Sequence, residues 1–391
     1  MNRLQGRRAR VVVAMSGGVD SSTVAGLLVE AGHDVIGVMM KLYDHSKSDF
    51  GAAEAQGRVS ADPEAGRECC GLDDVGDARR VADHLGIPFY VSDYQEVFRR
   101  AVIDEFVDAY VAGRTPNPCV RCNDAVKFKP LLARAKKLGA DYLATGHYVR
   151  AQTREDGGVD LLRAVDASKD QSYFVAGIAP DALERVIFPL GGMAKDDVRA
   201  HAERLGLPVA HKPDSQEICF VPDGDQAAFV AREASERLGG PGAVVSLAGT
   251  RLGRHAGVHQ FTVGQRRGLG IASSEPYYVV GLRPDANEVV VGRRADVDAS
   301  GLVASQARWQ AGPPSAGARV TARVRHRHAG AEAVVVSASG DRVEIQFCEP
   351  VNAVAPGQQL VLYDGDRVVG AATIDRALGT PVEDLQRAHN G

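Results

Sequence analysis

The sequence predicts an α/β first half built on a parallel sheet, a small central α+β region and a C-terminal antiparallel β-barrel. Three observations carry that prediction. Short apolar runs alternate with helical patterns as far as about Leu207, and glycine closes helix after helix there (Gly32, Gly86, Gly139). From about Tyr277 the chain turns to short valine-rich runs separated by Gly, Pro, Asp and Asn. Strand–helix–strand alternation with Gly at helix ends is the pattern of βαβ units around a parallel sheet. Closely spaced short strands with turn residues between them are the pattern of a small barrel.

Taken in order, Val11–Met15 reads as a buried strand, Ser22–Ala31 as a helix and Asp34–Lys41 as the second strand. The stretch from about Asp44 to Gly66, rich in Gly, Ala, Ser and Asp, reads as a long loop over one edge. Asp74–Leu85 is a helix, Pro88–Ser92 a strand, Val97–Ala112 and Asp124–Leu138 helices, and Asp141–Thr145 a strand. Leu190–Leu207 carries a further helix. Residues 213–275 are Gly-rich, with one helix (Gln226–Arg237) and two short strands. Beyond them YYVVGL, NEVVVG, GARVTARVRH, AEAVVVSAS, DRVEIQF and QQLVLYDGDRVVGAATI supply the six or so strands of the barrel. The expected domains are therefore 1–212, 213–275 and 276–391.

At 391 residues, two or three domains are the natural expectation. A content of 45% hydrophobic and 25% charged residues is that of a soluble globular chain, which excludes a disordered one. No apolar run is long enough to cross a membrane, and Val11–Met15 is too short for a signal segment, so a cytoplasmic protein is expected. With a net charge of −4, a nucleic-acid partner would be held by local basic patches. Six cysteines (Cys69, Cys70, Cys119, Cys122, Cys219, Cys348) are too few to staple such a chain and point to chemistry or metal. Cys69, Cys70 and Cys348 read as packing.

The segment Ser16-Gly17-Gly18-Val19-Asp20-Ser21-Ser22 leaves a strand and opens a helix. Two glycines permit positive φ and close approach of backbone to an anion. The helix N-terminus behind them offers free N–H groups and a favourable dipole. Ser16, Ser21 and Ser22 add hydroxyls, and Asp20 can orient the loop or hold Mg2+. The bland alternative is a Gly-rich turn with a serine cap. The motif is neither a Walker A loop nor a dinucleotide fingerprint. It resembles the pyrophosphate loop of the PP-loop ATP pyrophosphatases, which implies an adenine nucleotide alpha hydrolase-like domain that splits ATP between its α and β phosphates.

In Thr115-Pro116-Asn117-Pro118-Cys119-Val120-Arg121-Cys122-Asn123 the prolines stiffen the approach to a helix. With Asn123 as N-cap, Cys122 lies at the helix mouth, where the dipole, Arg121 and Lys127 favour thiolate. No second CxxC or CxxH half accompanies it, which argues against a closed zinc site. Cys219, in KPDSQEICF, reads equally as core packing or as a third reactive thiol.

The ordered set SGGVDSS, TPNPCVRCN, ATGHY, SKDQSYF, DSQEICF and FTVGQRRGLG, spanning about Val11 to Ile374, resembles the tRNA-specific 2-thiouridylase family. The resemblance implies ATP-dependent 2-thiolation of the wobble uridine (position 34) of tRNA. The C2 oxygen is adenylated and an enzyme persulfide delivers sulfur, giving AMP and pyrophosphate. It implies that Ala14, Met15, Ser16, Gly17, Gly18, Val19, Asp20, Ser21 and Ser22, with Met40 and Gly146, enclose ATP. Asn117, Pro118 and Cys119 would meet the flipped base. Cys122 would be the nucleophile and Cys219 the persulfide carrier. His147, Lys169, Asp170, Gln171, Arg325, His326 and Gln358 would contact tRNA. Partners are tRNA and a persulfide donor, a cysteine desulfurase or relay protein; Mg2+ accompanies ATP. Many members carry Asp where this chain has Cys119. Cys119, Cys122 and Cys219 equal the thiolate count of an iron–sulfur cluster with one open iron, so a cluster reading stands beside the persulfide one.

Strand periodicity places Arg319, Arg323, Arg325 and Arg327 on one face and Val320, Ala322 and Val324 on the other. Such a basic face suits a phosphate backbone, or is simply solvated. His147 at a strand end and Lys169–Gln171 likewise read either as site residues or as ordinary loop residues. Two other functions fit parts of the pattern. An amide-forming synthetase would adenylate a small molecule without RNA, and an RNA-binding sulfur carrier would retain tRNA without releasing pyrophosphate.

Overall fold

The computed structural model describes residue 4 and residues 6–43, 72–214, 218–221 and 224–381. The expected loop over 44–66, Cys69 and Cys70 lie outside them. The chain divides into two compact units, Met1–Ile103 with Arg121–Asp225, and Asp104–Val120 with Gln226–Gly391.

The first unit is built on β1 (Arg10–Met15), β2 (Asp34–Lys41), β3 (Phe89–Asp93), β4 (Tyr142–Ala144) and β7 (Val186–Ile187), in the order β3-β2-β1-β4-β7. All four pairings are parallel. Strand β1 is central because Val11, Val12 and Val13 are fully buried on both faces, as an unbroken apolar run predicts. Each contributes about 1.5–3 kcal/mol by leaving water. Helix α1 (Val19–Glu30) and the helices Leu72–Leu85 and Lys195–Arg204 supply Val24, Leu28, Val81, Val198 and Ala202 to the same core. An antiparallel hairpin, β5 (Val149–Thr153) with β6 (Val159–Arg163), was not legible in the sequence. Its strands mix Arg, Gln and Asp into weak alternation, and only the turn at Gly157, with φ of 88°, marks it.

Two helices differ from expectation. The backbone over Gln95–Val111 includes a π-helical stretch at Arg99–Ile103. The start placed at Asp124 with Asn123 as cap is corrected, because helical backbone begins at Pro118 and passes through a π-helical segment, Cys122–Phe128. Pro is well suited to a first helical position, and the side-chain oxygen of Asn117 accepts from Val120 N at 3.3 Å, so Asn117 is the cap. Asn123 instead donates to Phe174 O at 3.1 Å.

In the second unit, β8 (Gly242–Ser246), β9 (Arg251–His255), β10 (Tyr278–Arg283) and β11 (Glu288–Gly292) form a sheet in the order β10-β11-β8-β9. YYVVGL and NEVVVG therefore belong to this sheet and not to the barrel. Val279, Val289 and Val291 face one core and Val280 and Val290 the other. A strand buried on both faces needs such continuous valines, whereas a barrel strand alternates. The barrel consists of β12 (Asp298–Trp309), β13 (Arg319–Arg323), β14 (Ala331–Ser339), β15 (Arg342–Asn352), β16 (Gln359–Asp364) and β17 (Arg367–Leu378). Antiparallel pairing runs β12-β15-β14-β13-β16-β17, and β12 with β17 closes it.

Two barrel expectations are corrected. Cys348 is exposed, because Val343, Ile345 and Phe347 take the inward positions of β15. The arginine face is not one strand: β13 ends at Arg323, and residues 325–328 form a turn closed by His328 N to Arg325 O at 3.0 Å. Val320, Ala322 and Val324 are inward as expected.

Candidate active site

The loop Ser16–Gly18 leaves the C-terminal end of the central strand and enters α1, the position where open parallel sheets bind ligands. Gly17 has φ of 76°, and a Cβ there would lie 2.5 Å from Asp74 O, so only glycine fits. The N-cap of α1 is Gly18, whose missing side chain leaves the first-turn N–H groups uncapped. Ser16 N donates to Ser21 Oγ at 3.1 Å, and Ser22 Oγ donates to Gly18 O at 2.8 Å, which fixes the loop. Gly146 roofs it: a Cβ there would stand 2.9 Å from Ser21 N. Met40 lies one residue past the last β1–β2 pair, Met15 with Met39, beside the loop end of the sheet. A cradle of glycine and uncapped N–H groups suits a polyphosphate.

Beneath this loop is a charge network that sequence reading missed. Lys195 Nζ donates to Asp20 Oδ1 at 2.7 Å and lies 2.7 Å from Asp214 Oδ1. Tyr148 donates its hydroxyl to Asp20 Oδ1 at 2.8 Å. Asp214 also pairs with Lys169 at 2.9 Å and with Arg199 at 3.3 Å. Burial works to raise the Asp214 pKa, but Lys169 and Lys195 outweigh it and hold the carboxyl below its ordinary value. Burial and the Asp20 carboxylate push Tyr148 upward, so its hydroxyl stays a donor. Lys212 donates to Gly17 O at 3.2 Å and to Asp77 at 2.5 Å, and it also bonds Asp74. Burial lowers its pKa, yet the two carboxylates raise it further. Asp20, shared between Lys195 and Tyr148, orients the loop, and Mg2+ would enter on the phosphates of the nucleotide beside it. No periodicity marks Lys195; the only sequence signal was Asp214, four residues before Ile218 in KPDSQEICF.

Cys122 is buried at 6% exposure, Cys219 is half-buried and Cys119 is exposed. Because the helix begins at Pro118, Cys119 occupies its first turn and Cys122 lies beyond it. Cys219 sits in a turn closed by Val221 N to Ile218 O at 2.8 Å. Its neighbour Phe220 is anchored edge-on to Phe98, ring centroids 5.8 Å apart. Core packing is thus the work of Phe220, and Cys219 is left partly accessible. Among the described residues, no three His, Cys, Asp or Glu side chains are grouped as a metal site needs.

Residues 9–223 match a family model described as tRNA methyl transferase HUP domain. Residues 227–293 match the tRNA methyl transferase PRC-barrel domain, and residues 299–374 the Aminomethyltransferase beta-barrel domain. The chain is 50% identical over 373 residues to the tRNA-specific 2-thiouridylase MnmA of Geobacter metallireducens, covering 95% of this chain and 98% of the relative. It is 46% identical over 374 residues to the MnmA of Geotalea uraniireducens, covering 96% and 97%. The chain belongs to the tRNA-specific 2-thiouridylase family. These relatives span both units of the chain.

In this thiouridylase-family chain, several residues singled out for tRNA are engaged internally. Asp170 accepts from Ala164 N, Ser172 N and Ser172 Oγ at 2.8–3.1 Å. Gln171 Oε1 accepts from Tyr148 N at 2.9 Å. His147 is half-buried, with Nδ1 2.9 Å from Thr145 Oγ1 and its ring clustered with those of Phe128 and Phe188, centroids 5.9–6.4 Å apart. Burial, aided by Lys127, lowers its pKa to about 3, so it is a neutral imidazole at ordinary pH. Arg323 donates to His328 O at 3.0 Å and Arg325 to Asn352 O at 2.9 Å, both bracing the turn. His326 and Arg327 are exposed. Gln358 donates to Thr115 O at 3.0 Å, and Thr115 also meets Pro356 O at 2.8 Å and Thr262 Oγ1 at 3.3 Å. The TPNPC lead-in is therefore held by the FTVGQRRGLG segment and by the 355–358 turn, all within the second unit. No helix among the described residues is long and apolar enough to cross a membrane.

Proposed function

We propose that this chain is the tRNA-uridine 2-sulfurtransferase that its family membership implies, acting on the wobble uridine in the cytoplasm. The observation that carries the reading is the uncapped α1 N-terminus at SGGVDSS, with Lys212 bonded directly to Gly17 O of that loop and Asp214 linked to its Asp20 through Lys195. Residues 1–212 would bind ATP, Cys219 beyond them would carry the sulfur, and the barrel built from Asp298 to Leu378 would contact tRNA.

Uridine must leave its stack before an edge can react. The loop N–H groups and Ser16 hold the triphosphate while the uracil C2 oxygen attacks the α-phosphorus and pyrophosphate departs; Mg2+ supplies charge neutralisation for that departure. Adenylation turns a poor leaving oxygen into AMP. The terminal sulfur of a Cys219 persulfide then attacks C2, and AMP leaves. Cys122 thiolate attacks Cys219 Sγ, freeing the new thiocarbonyl and closing a Cys122–Cys219 disulfide, which a two-electron thiol reductant reopens. A persulfide donor protein reloads Cys219. Asn117, Pro118 and Cys119 would face the base. Arg325 and Gln358 would shape the turns that present His326 and the TPNPC lead-in to tRNA. Among the described residues no three such ligands are grouped as a cluster needs, and no step is routed through one.

The test is pyrophosphate release with and without tRNA, followed by nucleoside analysis of that tRNA. Pyrophosphate that requires tRNA, with 2-thiouridine appearing when a persulfide donor is added, is expected. Release without tRNA would favour a small-molecule synthetase, and tRNA retention without release a carrier.

A further inference from the structure

We propose that Cys119 is the thiol that resets the enzyme after sulfur transfer, by opening the Cys122–Cys219 disulfide and pairing with Cys122. The proposal rests on the reading above, in which Cys219 carries the persulfide and Cys122 ends bonded to it.

The helix start at Pro118 is the deciding observation. An Asn123 cap would have left Cys119 in an extended lead-in. Instead one helical run, Pro118–Arg121 continuing into Cys122–Phe128, carries both cysteines three residues apart. Residues at that spacing share a helix face with Cβ atoms about 5–6 Å apart, and a disulfide needs about 3.5–4.5 Å. The first turn is where so small a closure costs least, because its N–H groups have no helical acceptors to lose. The change from α to π hydrogen bonding falls at Cys122 itself, a break common at functional sites. The approach to Cys119 is held in place: Asn117 Oδ1 accepts from Val120 N at 3.3 Å, and Thr115 is fixed by Gln358 and by Pro356 O.

Exposure separates the two thiols. Cys122 is buried at 6% exposure, whereas Cys119 is exposed. Thiol exchange depends on access, so a reductant in solution is kept from Cys122 Sγ while Cys119 attacks it from within the same helical run. Cys119 thiolate attacks Cys122 Sγ; the Cys119–Cys122 bond forms as the Cys122–Cys219 bond breaks, and Cys219 leaves as thiolate. No electrons enter in that exchange. Two electrons and two protons come next, from a dithiol reductant that attacks the exposed Cys119 sulfur and is itself oxidised to a disulfide. Cys219 is thus ready for its next sulfur before the reductant arrives. The aspartate that many family members carry at this position cannot exchange with a disulfide, so the reset belongs to chains with cysteine here.

The experiment maps disulfides after one turnover. Full-length protein purified without oxygen is loaded with sulfur by a cysteine desulfurase, then mixed with ATP, Mg2+ and tRNA in the absence of reductant. After denaturation, free thiols are alkylated with N-ethylmaleimide, and linked peptides are read by mass spectrometry beside the 2-thiouridine formed. The parent should end with Cys119 joined to Cys122 and with Cys219 alkylated. Cys348, exposed on the barrel, should be alkylated throughout and controls for adventitious oxidation. Cys119→Ser and Cys119→Asp should both end with Cys122 joined to Cys219, in an amount equal to the 2-thiouridine made. With a thioredoxin-type dithiol protein present, repeated turnover in both variants should fall further than their single turnover does. The extra loss should be about tenfold or more, because a tethered thiol acts at millimolar effective concentration. A parent that ends with Cys122 joined to Cys219 overturns the resetting role and leaves the persulfide reading standing. Repeated turnover of Cys119→Asp at the parent's rate does the same, since it marks an acid at this position and not a thiol. 2-Thiouridine formed without any disulfide, in the parent and in Cys119→Ser alike, overturns the persulfide reading and the resetting role with it.

Discussion

Asp20 is the residue on which the loop depends, because its Oδ1 takes both the Lys195 ammonium and the Tyr148 hydroxyl. Asp20→Ala should lower tRNA-dependent pyrophosphate release by about 100-fold, in the range of losing one preorganised charge-stabilising group. Ser16→Ala, which removes one hydroxyl, should do so more mildly. Thermal unfolding should show both folded, with a cost near 1–3 kcal/mol for Asp20→Ala. Unaltered release in both variants would remove this loop from the ATP site. His147 makes a separate prediction. Its pKa falls from 6.5 unfolded to about 3 folded, chiefly through burial, so the unfolded chain binds the extra proton between those values. Its contribution to stability is whole above pH 6.5 and shrinks as pH drops toward 3, by up to about 1.4 kcal/mol per unit. Urea midpoints at pH 7 and pH 5 should therefore differ less in His147→Gln than in the parent. An equal difference would mean that His147 titrates normally.

At the scale of elements, the turn after β13 separates two kinds of arginine that periodicity treats alike. Arg323 and Arg325 brace backbone carbonyls, whereas Arg327 is exposed. Arg327→Ala should weaken tRNA binding and reduce its salt slope by about one unit, the effect of leaving one phosphate without its cation, with no change in melting temperature. Arg325→Ala should instead lower the melting temperature, by freeing Asn352 O and Ala353 O. Identical tRNA affinity and salt slope in Arg327→Ala would make the turn a solvated one. The start of the Pro118 helix matters similarly. It puts Cys119 in the first turn, where the sequence alone pointed to Cys122.

Across the whole molecule, the proposed mechanism assigns the cysteines and the loop to two separable partial reactions. With protein purified without oxygen, Cys219→Ser should abolish thiolation but keep pyrophosphate release, since the loop is a distinct constellation. Cys122→Ser should release pyrophosphate and stall sulfur transfer, while Cys119→Ser retains partial thiolation. Iron and acid-labile sulfide should be negligible in active protein. Stoichiometric iron lost in all three variants, together with activity, would establish the cluster chemistry instead.

By itself the sequence determined the fold class and the position of the phosphate loop. Those rest on local signals: the buried run Val11–Met15, glycines where φ is positive, and the order of motifs along the chain. It also specified the inward face Val320, Ala322 and Val324, because strand alternation is local. Only the tertiary structure decided which valine strands form the central sheet and which the barrel, since pairing partners are set by shared burial and not by composition. The same holds for Asn117 as cap, Cys348 facing outward, and the Asp20–Lys195–Asp214 network. Lys195 lies 175 residues from Asp20, and no periodicity joins them. They meet because a buried ammonium and two carboxylates each cost too much to desolvate alone.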